Sequence, residues 1–257
     1  WGLGGIGFQK ELGNMGDKIS RVSVTAKALA ETLNATPEEI NALEEALPIF
    51  RADLVTEMVG EFKELEGIMG RAYALAEGYD KEVAQALEDG LLPKGPNDPL
   101  PSSTIGAILA ASDKLDTLAG FFAINKRPSG SADPFGLRRE ANALVRVLNA
   151  KGWTLPLPDF VATASKSYTG NVKASEESQQ ALEDFLWDRV QSLLGEEGIR
   201  VELVRAATSD NPAIITATQR CHLLQTLSKN PDFPVLMTLY RRATTLANQA
   251  PEKTNPD

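Results

Sequence analysis

Again and again in this chain a capping residue leads directly into an apolar helical pattern, while the alternating β-branched runs of strands are almost absent. Thr36-Pro37-Glu38-Glu39 sets a cap, a proline at the first helical position and a glutamate at the third. Asp80 opens a short helix from Lys81 to Leu87, and Ser102-Ser103 precedes a long one through Ile105, Ile108, Leu109, Leu115, Leu118 and Phe122. Asn211-Pro212 repeats the cap-then-proline pattern ahead of Ile214 to Leu227. With no strand signal to set against these, the pattern predicts an all-α fold.

The intervals are legible too. Residues 91–103, "LLPKGPNDPLPSS", predict a rigid proline-rich connection. "KGWTLPLPDF" (151–160) and the polar run after it predict a separation of two helical halves near residue 155. The Gly-rich "WGLGGIG" (1–7) reads as a flexible lead-in, and the tail from Asn248 is expected to fray. A first residue of Trp rather than Met suggests a fragment or a processed chain. No apolar run is long enough to cross a membrane, and no signal peptide is evident. The single cysteine, Cys221, rules out an internal disulfide and fits a reducing compartment.

Histidine count then limits the chemistry. Metal-dependent phosphohydrolases of the HD type draw on two imidazoles and two aspartates, and this chain has one histidine, His222. His222 follows Cys221, but neighbours on a helix point about 100° apart, so a structural pair is the expectation. Asp53, Glu57 and Glu61 are spaced as a row along one helix, and Asp113 and Asp116 neighbour each other on another. Such carboxylates can hold a metal or move a proton; without histidine, solvated faces or arginine partners are expected. No metal site is expected, nor a phosphate loop with a following Lys-Ser/Thr, nor a nucleophile elbow.

Charge offers a different lead. The chain carries −9 overall, which speaks against wholesale coating by nucleic acid. From residue 126 to 151, however, Lys126, Arg127, Arg138, Arg139, Arg146 and Lys151 face only Asp133 and Glu140, a local +4. Screening confines electrostatics to about 10 Å at ~0.1 M salt, so a local patch can act alone. Asp133 is the expected cap and Pro134 the expected first helical residue. At about 100° per residue, Leu137, Ala141, Leu144, Val145 and Leu148 then share one face, with Arg138, Arg139, Asn142, Arg146 and Asn149 opposite. Guanidinium groups grip phosphate bidentately. The alternative is that these arginines neutralise the row Asp53, Glu57 and Glu61.

Two long segments add a resemblance. "RADLVTEMVGEFKELEGIMGRAYA" (51–74) and "ASDKLDTLAGFFAINKRPSGSADPFGLRREA" (111–141) resemble signatures of the β subunit of bacterial-type heterotetrameric glycyl-tRNA synthetase. The segments 8–22, 92–110, 185–207 and 236–248 resemble the same family in order along the chain. The resemblance implies an HD-like helical domain over 1–155, with no metal site, and a helical region over 156–257 leading toward an anticodon-binding part. Ala52-Asp53 resembles a degenerate remnant of the His-Asp pair. The family's β subunit binds tRNA, and its α subunit carries the active site and uses ATP. This chain would therefore be a non-catalytic, cofactor-free part of a glycine–tRNA ligase. Its implied partners are tRNA-Gly and the α subunit, and its implied place is the bacterial cytoplasm or an organelle with a bacterial-type enzyme. Arg71, Lys126, Arg127, Arg138, Arg139 and Arg146 become candidate tRNA contacts, with Arg241 and Arg242 a second basic pair. The competing readings are a surviving HD-type phosphohydrolase and a helical scaffold whose arginines only staple helices.

Overall fold

The run from Ile105 to Phe122 organises the architecture. A helix with apolar residues around most of its circumference has little face to give to water, and here Asp113, Lys114 and Asp116 are buried along with it. In the computed structural model, which describes residues 2–249, this helix is buried from Ile105 to Asp116 without interruption. Most of the larger helices pack around it. An antiparallel pair of short strands, β1 (Gly7–Gln9) and β2 (Gly13–Asn14), leads into α1 (Met15–Thr32) and α2 (Pro37–Ala46). Then come α3 (Glu57–Glu61), α4 (Ile68–Ala76), α5 (Lys81–Asp89), the central α6 (Thr104–Ala123) and α7 (Leu137–Lys151). The series ends with α8 (Leu157–Ser165), α9 (Glu176–Glu196), α10 (Val201–Ala207), α11 (Ile214–Leu227) and α12 (Phe233–Gln249). The described residues are all-α apart from the one small strand pair. None of their helices is long and apolar enough to cross a membrane.

Helices α1, α5, α7, α8 and α9 all pack on α6, and one hydrophobic core runs from Leu3 to Cys221, continuous across residue 155. Local chemistry sets the starts. Thr36 accepts from the Glu39 amide while Glu39 returns a bond to the Thr36 amide, the capping box expected for α2. Asn14 and Asp17 make a second box at α1. Ser103 caps α6, and beside it the buried Asp89 carboxylate accepts from the amides and hydroxyls of Ser102 and Ser103 at 2.8–3.1 Å. That carboxylate fixes the end of the proline-rich connection to the end of α5.

Three expectations need correction. The glycine-rich start is not a flexible lead-in: Gly2–Gly5 forms a 3-10 turn, Leu3 is buried, and β1 follows. The segment from 151 is not only a separator, because α8 lies inside it. Leu157, Phe160, Val161 and Ala164 fall at i, i+3, i+4 and i+7, and all are buried. Its prolines stand at and just before the first turn, where they cost the helix no hydrogen bond. Third, α11 spans Ile214–Leu227 as expected, but Asn211 does not cap it. Asn211 adopts a left-handed φ of 48°, and Ala213 holds the N-cap position without a side-chain bond. Trp1 and the tail beyond Gln249 lie outside the described residues.

Candidate nucleic-acid interface

Helix α7 carries the basic stretch. Its start differs from the expected one: Pro134 is not the first helical residue, because Gly136, in a left-handed conformation, turns the chain into Leu137. Asp133 still caps, from one turn further back. Its two carboxylate oxygens accept from the Leu137 and Arg138 amides, each at 2.9 Å. The inner face is as expected, with Leu137, Ala141, Leu144, Val145 and Leu148 buried. Ala143 and Val147 are buried as well, since α9 and α11 pack on the far flank of α7. The polar side is thereby narrowed to a strip between packed neighbours.

None of the arginines on that strip reaches the row Asp53, Glu57 and Glu61, so the expected neutralisation does not occur. The Arg138 guanidinium donates to the carbonyls of Gly130 (2.6 Å) and Ala132 (3.4 Å), holding the turn before the helix. Arg146 donates to the carbonyls of Gly95 and Asp98, both at 3.0 Å, and so pins the proline-rich connection against α7. Arg139 is exposed and makes no ion pair among the described residues. A guanidinium has five N–H donors, so Arg138 and Arg146 keep donors beyond those given to the loops.

A groove of about 790 Å³ results. Arg138, Arg139, Asn142, Arg146 and Asn149 form its α7 wall, Lys94 lies on the proline-rich side, and the end of α9 brings Glu196 and Glu197 to the opposite edge. Three of the six expected tRNA contacts therefore meet at one place. The other three lie outside its lining. Arg71 pairs with Glu88 at 2.6 Å, tying α4 to α5. Lys126 pairs with Glu11 at 2.6 Å, and the Arg127 guanidinium sits 5.6 Å from the centre of the Phe122 ring. Sequence reasoning passed over Lys94, a lone cation among prolines whose position depends on the fold of the connection.

The carboxylates are spent differently from expectation. Asp53 does not continue into a helical row, since the chain breaks at Thr56 between a 3-10 turn and α3. The buried Asp53 accepts from the amides of Gly67 (2.6 Å) and Gly70 (3.0 Å), while Glu57 and Glu61 are exposed. Asp113 and Asp116 instead face the chain's own cations. Arg51 grips Asp113 through two nitrogens at 3.2 and 2.7 Å and also reaches Glu66. Lys18 lies 3.2 Å from Asp113 and 3.3 Å from Asp116, and Arg21 holds Asp116 at 2.7 Å. Burial alone would push the Asp113 carboxyl up; Arg51 and Lys18 outweigh it and hold the group far below the ordinary carboxylate range. Asp113 and Asp116 are thus engaged by the chain's own cations. Cys221 is fully buried, and burial raises its thiol pKa. His222 is half-exposed, 3.5 Å from Glu197.

The family described as "Glycyl-tRNA synthetase beta subunit" matches residues 1–209. That match covers more than half of the chain and takes in both signature segments. The chain belongs to this glycyl-tRNA synthetase beta subunit family. Among its curated relatives is the "Glycine--tRNA ligase beta subunit" of Ectopseudomonas mendocina, 39% identical over 249 residues, covering 96% of this chain and 36% of that protein. The protein of the same name from Phenylobacterium zucineum is 38% identical over 256 residues, covering 99% of this chain and 35% of its own. That from Dechloromonas aromatica is 38% identical over 211 residues, covering 82% and 29%. The chain thus spans about a third of the length of the relatives it matches. The family match ends within the turn after α10, so α11 and α12 lie beyond it.

Proposed function

We propose that this chain is a tRNA-binding portion of the beta subunit of a glycine–tRNA ligase, assisting ATP-dependent attachment of glycine to tRNA-Gly. In this reading an α subunit does the chemistry and uses ATP, and this portion holds no cofactor or metal and makes no covalent step. The two subunits assemble as a heterotetramer in the cytoplasm of a bacterium. The observation that carries the reading is the groove beside α7, where Lys94, Arg138, Arg139 and Arg146 gather in a chain of net charge −9. Guanidinium and ammonium groups of this kind hold phosphate and fix the register of a nucleic acid. Arg71, Lys126 and Arg127, each with a partner of its own, are secondary contacts outside the groove.

Arg139 separates charge from fold, because its exposed side chain staples nothing. We expect labelled tRNA-Gly to bind the full-length subunit with salt-sensitive anisotropy. Three neutralised phosphates would cost about 20–40-fold in affinity between about 50 and 200 mM salt. Arg139→Glu should weaken every tRNA alike and flatten the salt slope by about one, with an unchanged melt. A salt slope identical to wild type would remove Arg139 from the interface.

A further inference from the structure

A pocket of about 330 Å³, with no residue of α7 in its lining, opens beside Asp53. Leu3, Val55, Ala74 and Leu87 give it apolar walls. Its lining holds two acids, Asp53 and Glu77, and no lysine, arginine or histidine. Neither acid makes an ion pair among the described residues. The two oxygens of Asp53 are used unequally. Oδ2 accepts from both amides at the start of α4, Gly67 at 2.6 Å and Gly70 at 3.0 Å, whereas Oδ1 accepts from no donor among the described residues. The residue is only 3% exposed. A buried carboxylate is costly unless its charge is answered, and the two amides with the positive end of α4 answer one side of it. Capping therefore explains Oδ2 and leaves the lone pairs of Oδ1 to another donor. Gly70, also in the lining, keeps that carboxylate approachable: a Cβ there would lie 3.3 Å from Oδ2 and 3.7 Å from Oδ1.

The chemistry that suits such a pocket is narrow. A divalent metal ion of the calcium or magnesium kind takes six or more oxygen ligands. No group of three or more metal-ligating side chains occurs among the described residues. An anion would be repelled by both acids, and a neutral apolar group would satisfy the walls but not Oδ1. An organic cation on a short apolar stem satisfies both, with its N–H groups on the carboxylate and its methylenes against the walls. We propose that the pocket beside Asp53 binds an alkyl ammonium or guanidinium group, with Asp53 Oδ1 as the acceptor and the exposed Glu77 adding negative charge. The volume stands at the lower end of the ~300–1,000 Å³ typical of ligand sites, which suits one short chain. Two sources carry this chemistry, a free amine and the lysine or arginine side chain of a bound polypeptide. The assignment is independent of RNA binding at α7.

The test titrates the full-length polypeptide with n-butylammonium, n-butanol and butyrate, probes of similar shape and different charge, by ligand-observed NMR at fixed salt. Wild type should bind n-butylammonium at least about tenfold more tightly than n-butanol, the margin of one charge-assisted contact in a covered site, and should not bind butyrate. Equal binding of n-butylammonium and n-butanol, or no binding of n-butylammonium, would overturn the proposal without recourse to a variant. Asp53→Asn removes the charge while keeping an acceptor oxygen for the two amides, and should cancel the preference. Gly70→Ala crowds the carboxylate without removing it, and should weaken n-butylammonium selectively. Melts of both variants separate a blocked site from a lost fold. A preference that survives both substitutions would overturn the role given to Asp53. Adding the proposed α subunit distinguishes the sources. Displacement of n-butylammonium means that a side chain of that subunit fills the pocket, and undisturbed binding means that the pocket serves a free amine.

Discussion

Arg51→Ala is expected to lower the stability of the fold by about 3 kcal/mol, which for a chain of this size is a fall of roughly 6–12 °C in melting temperature. Arg51 is a half-way point between the buried Asp113, at 2.7 Å, and the partly exposed Glu66. Removing it leaves Asp113, only 4% exposed at its side chain, with Lys18 as its remaining close cation. An uncompensated buried charge is the costly outcome, more so than the worth of the pair itself. Arg51 also sits in a left-handed backbone conformation, φ 61°, which arginine rarely adopts. The ion pairs therefore hold a strained turn as well as a charge. Calorimetric or circular-dichroism melts check the magnitude.

The same pair fixes the response to acid. The folded pKa of Asp113 is depressed, so its contribution is fully present above the unfolded aspartate value, about 3.9. It is lost as pH falls from there toward the lower folded value. Arg51→Ala brings the folded value closer to the unfolded one, so less of this stability exists to be lost. The gap in melting temperature between wild type and variant should accordingly be largest near neutrality and narrow below about pH 4. A gap that stays constant down to strong acid would place the stabilising role of Arg51 elsewhere.

Gly106→Ala is the second large effect, and its sign is not the one helix propensity gives. Alanine is preferred to glycine inside a helix by about 1 kcal/mol. At Gly106, though, an added Cβ would lie 2.3 Å from the Asp89 Cβ and 2.7 Å from the Ser103 hydroxyl. The nearer atom is next to the backbone of α5 and cannot swing aside as the tip of a long side chain would. Either α5 and α6 separate, or the Asp89 carboxylate leaves the four donors of Ser102 and Ser103. Overpacking costs about 1–3 kcal/mol, and freed buried donors add to that. A net loss of about 3 kcal/mol in a denaturant melt is expected. A neutral or stabilising result would mean that α5 moves freely against the central helix, contrary to the packing described here.

What the sequence disclosed, and what it hid, follows from the range of the forces involved. Caps and periodicity act within a few residues. So the capping box at Thr36, the cap at Ser103 and the span Ile214–Leu227 could be read directly. Helix α8 carried the same signal in Leu157, Phe160, Val161 and Ala164 but was obscured by Pro156 and Pro158 at its start. The Asp133 cap was placed correctly as a residue and wrongly as a position, because Gly136 takes up a turn that proline spacing cannot reveal. Partners far apart in sequence were beyond reach. Lys18 and Asp113 are separated by 95 residues, and no local pattern says that they meet. Hence the partners of the acids were hidden: α7 was offered for Asp53, Glu57 and Glu61 and does not reach them, while α1 and the turn at Arg51 serve Asp113 and Asp116. The groove was half legible. The charge reversal and the polar row of α7 came from periodicity, whereas Lys94 and the opposite wall required the fold.

Ultraviolet crosslinking of tRNA-Gly to the full-length protein, with the proposed α subunit added, followed by mass-spectrometric mapping of the crosslinked peptides, tests the groove most directly. Crosslinks should concentrate in peptides spanning 94–98 and 138–149 and should fall in Arg139→Glu. Crosslinks confined to other faces, such as the exposed apolar segment from Val55 to Leu75, with none on α7, would contradict the placement of RNA in this groove.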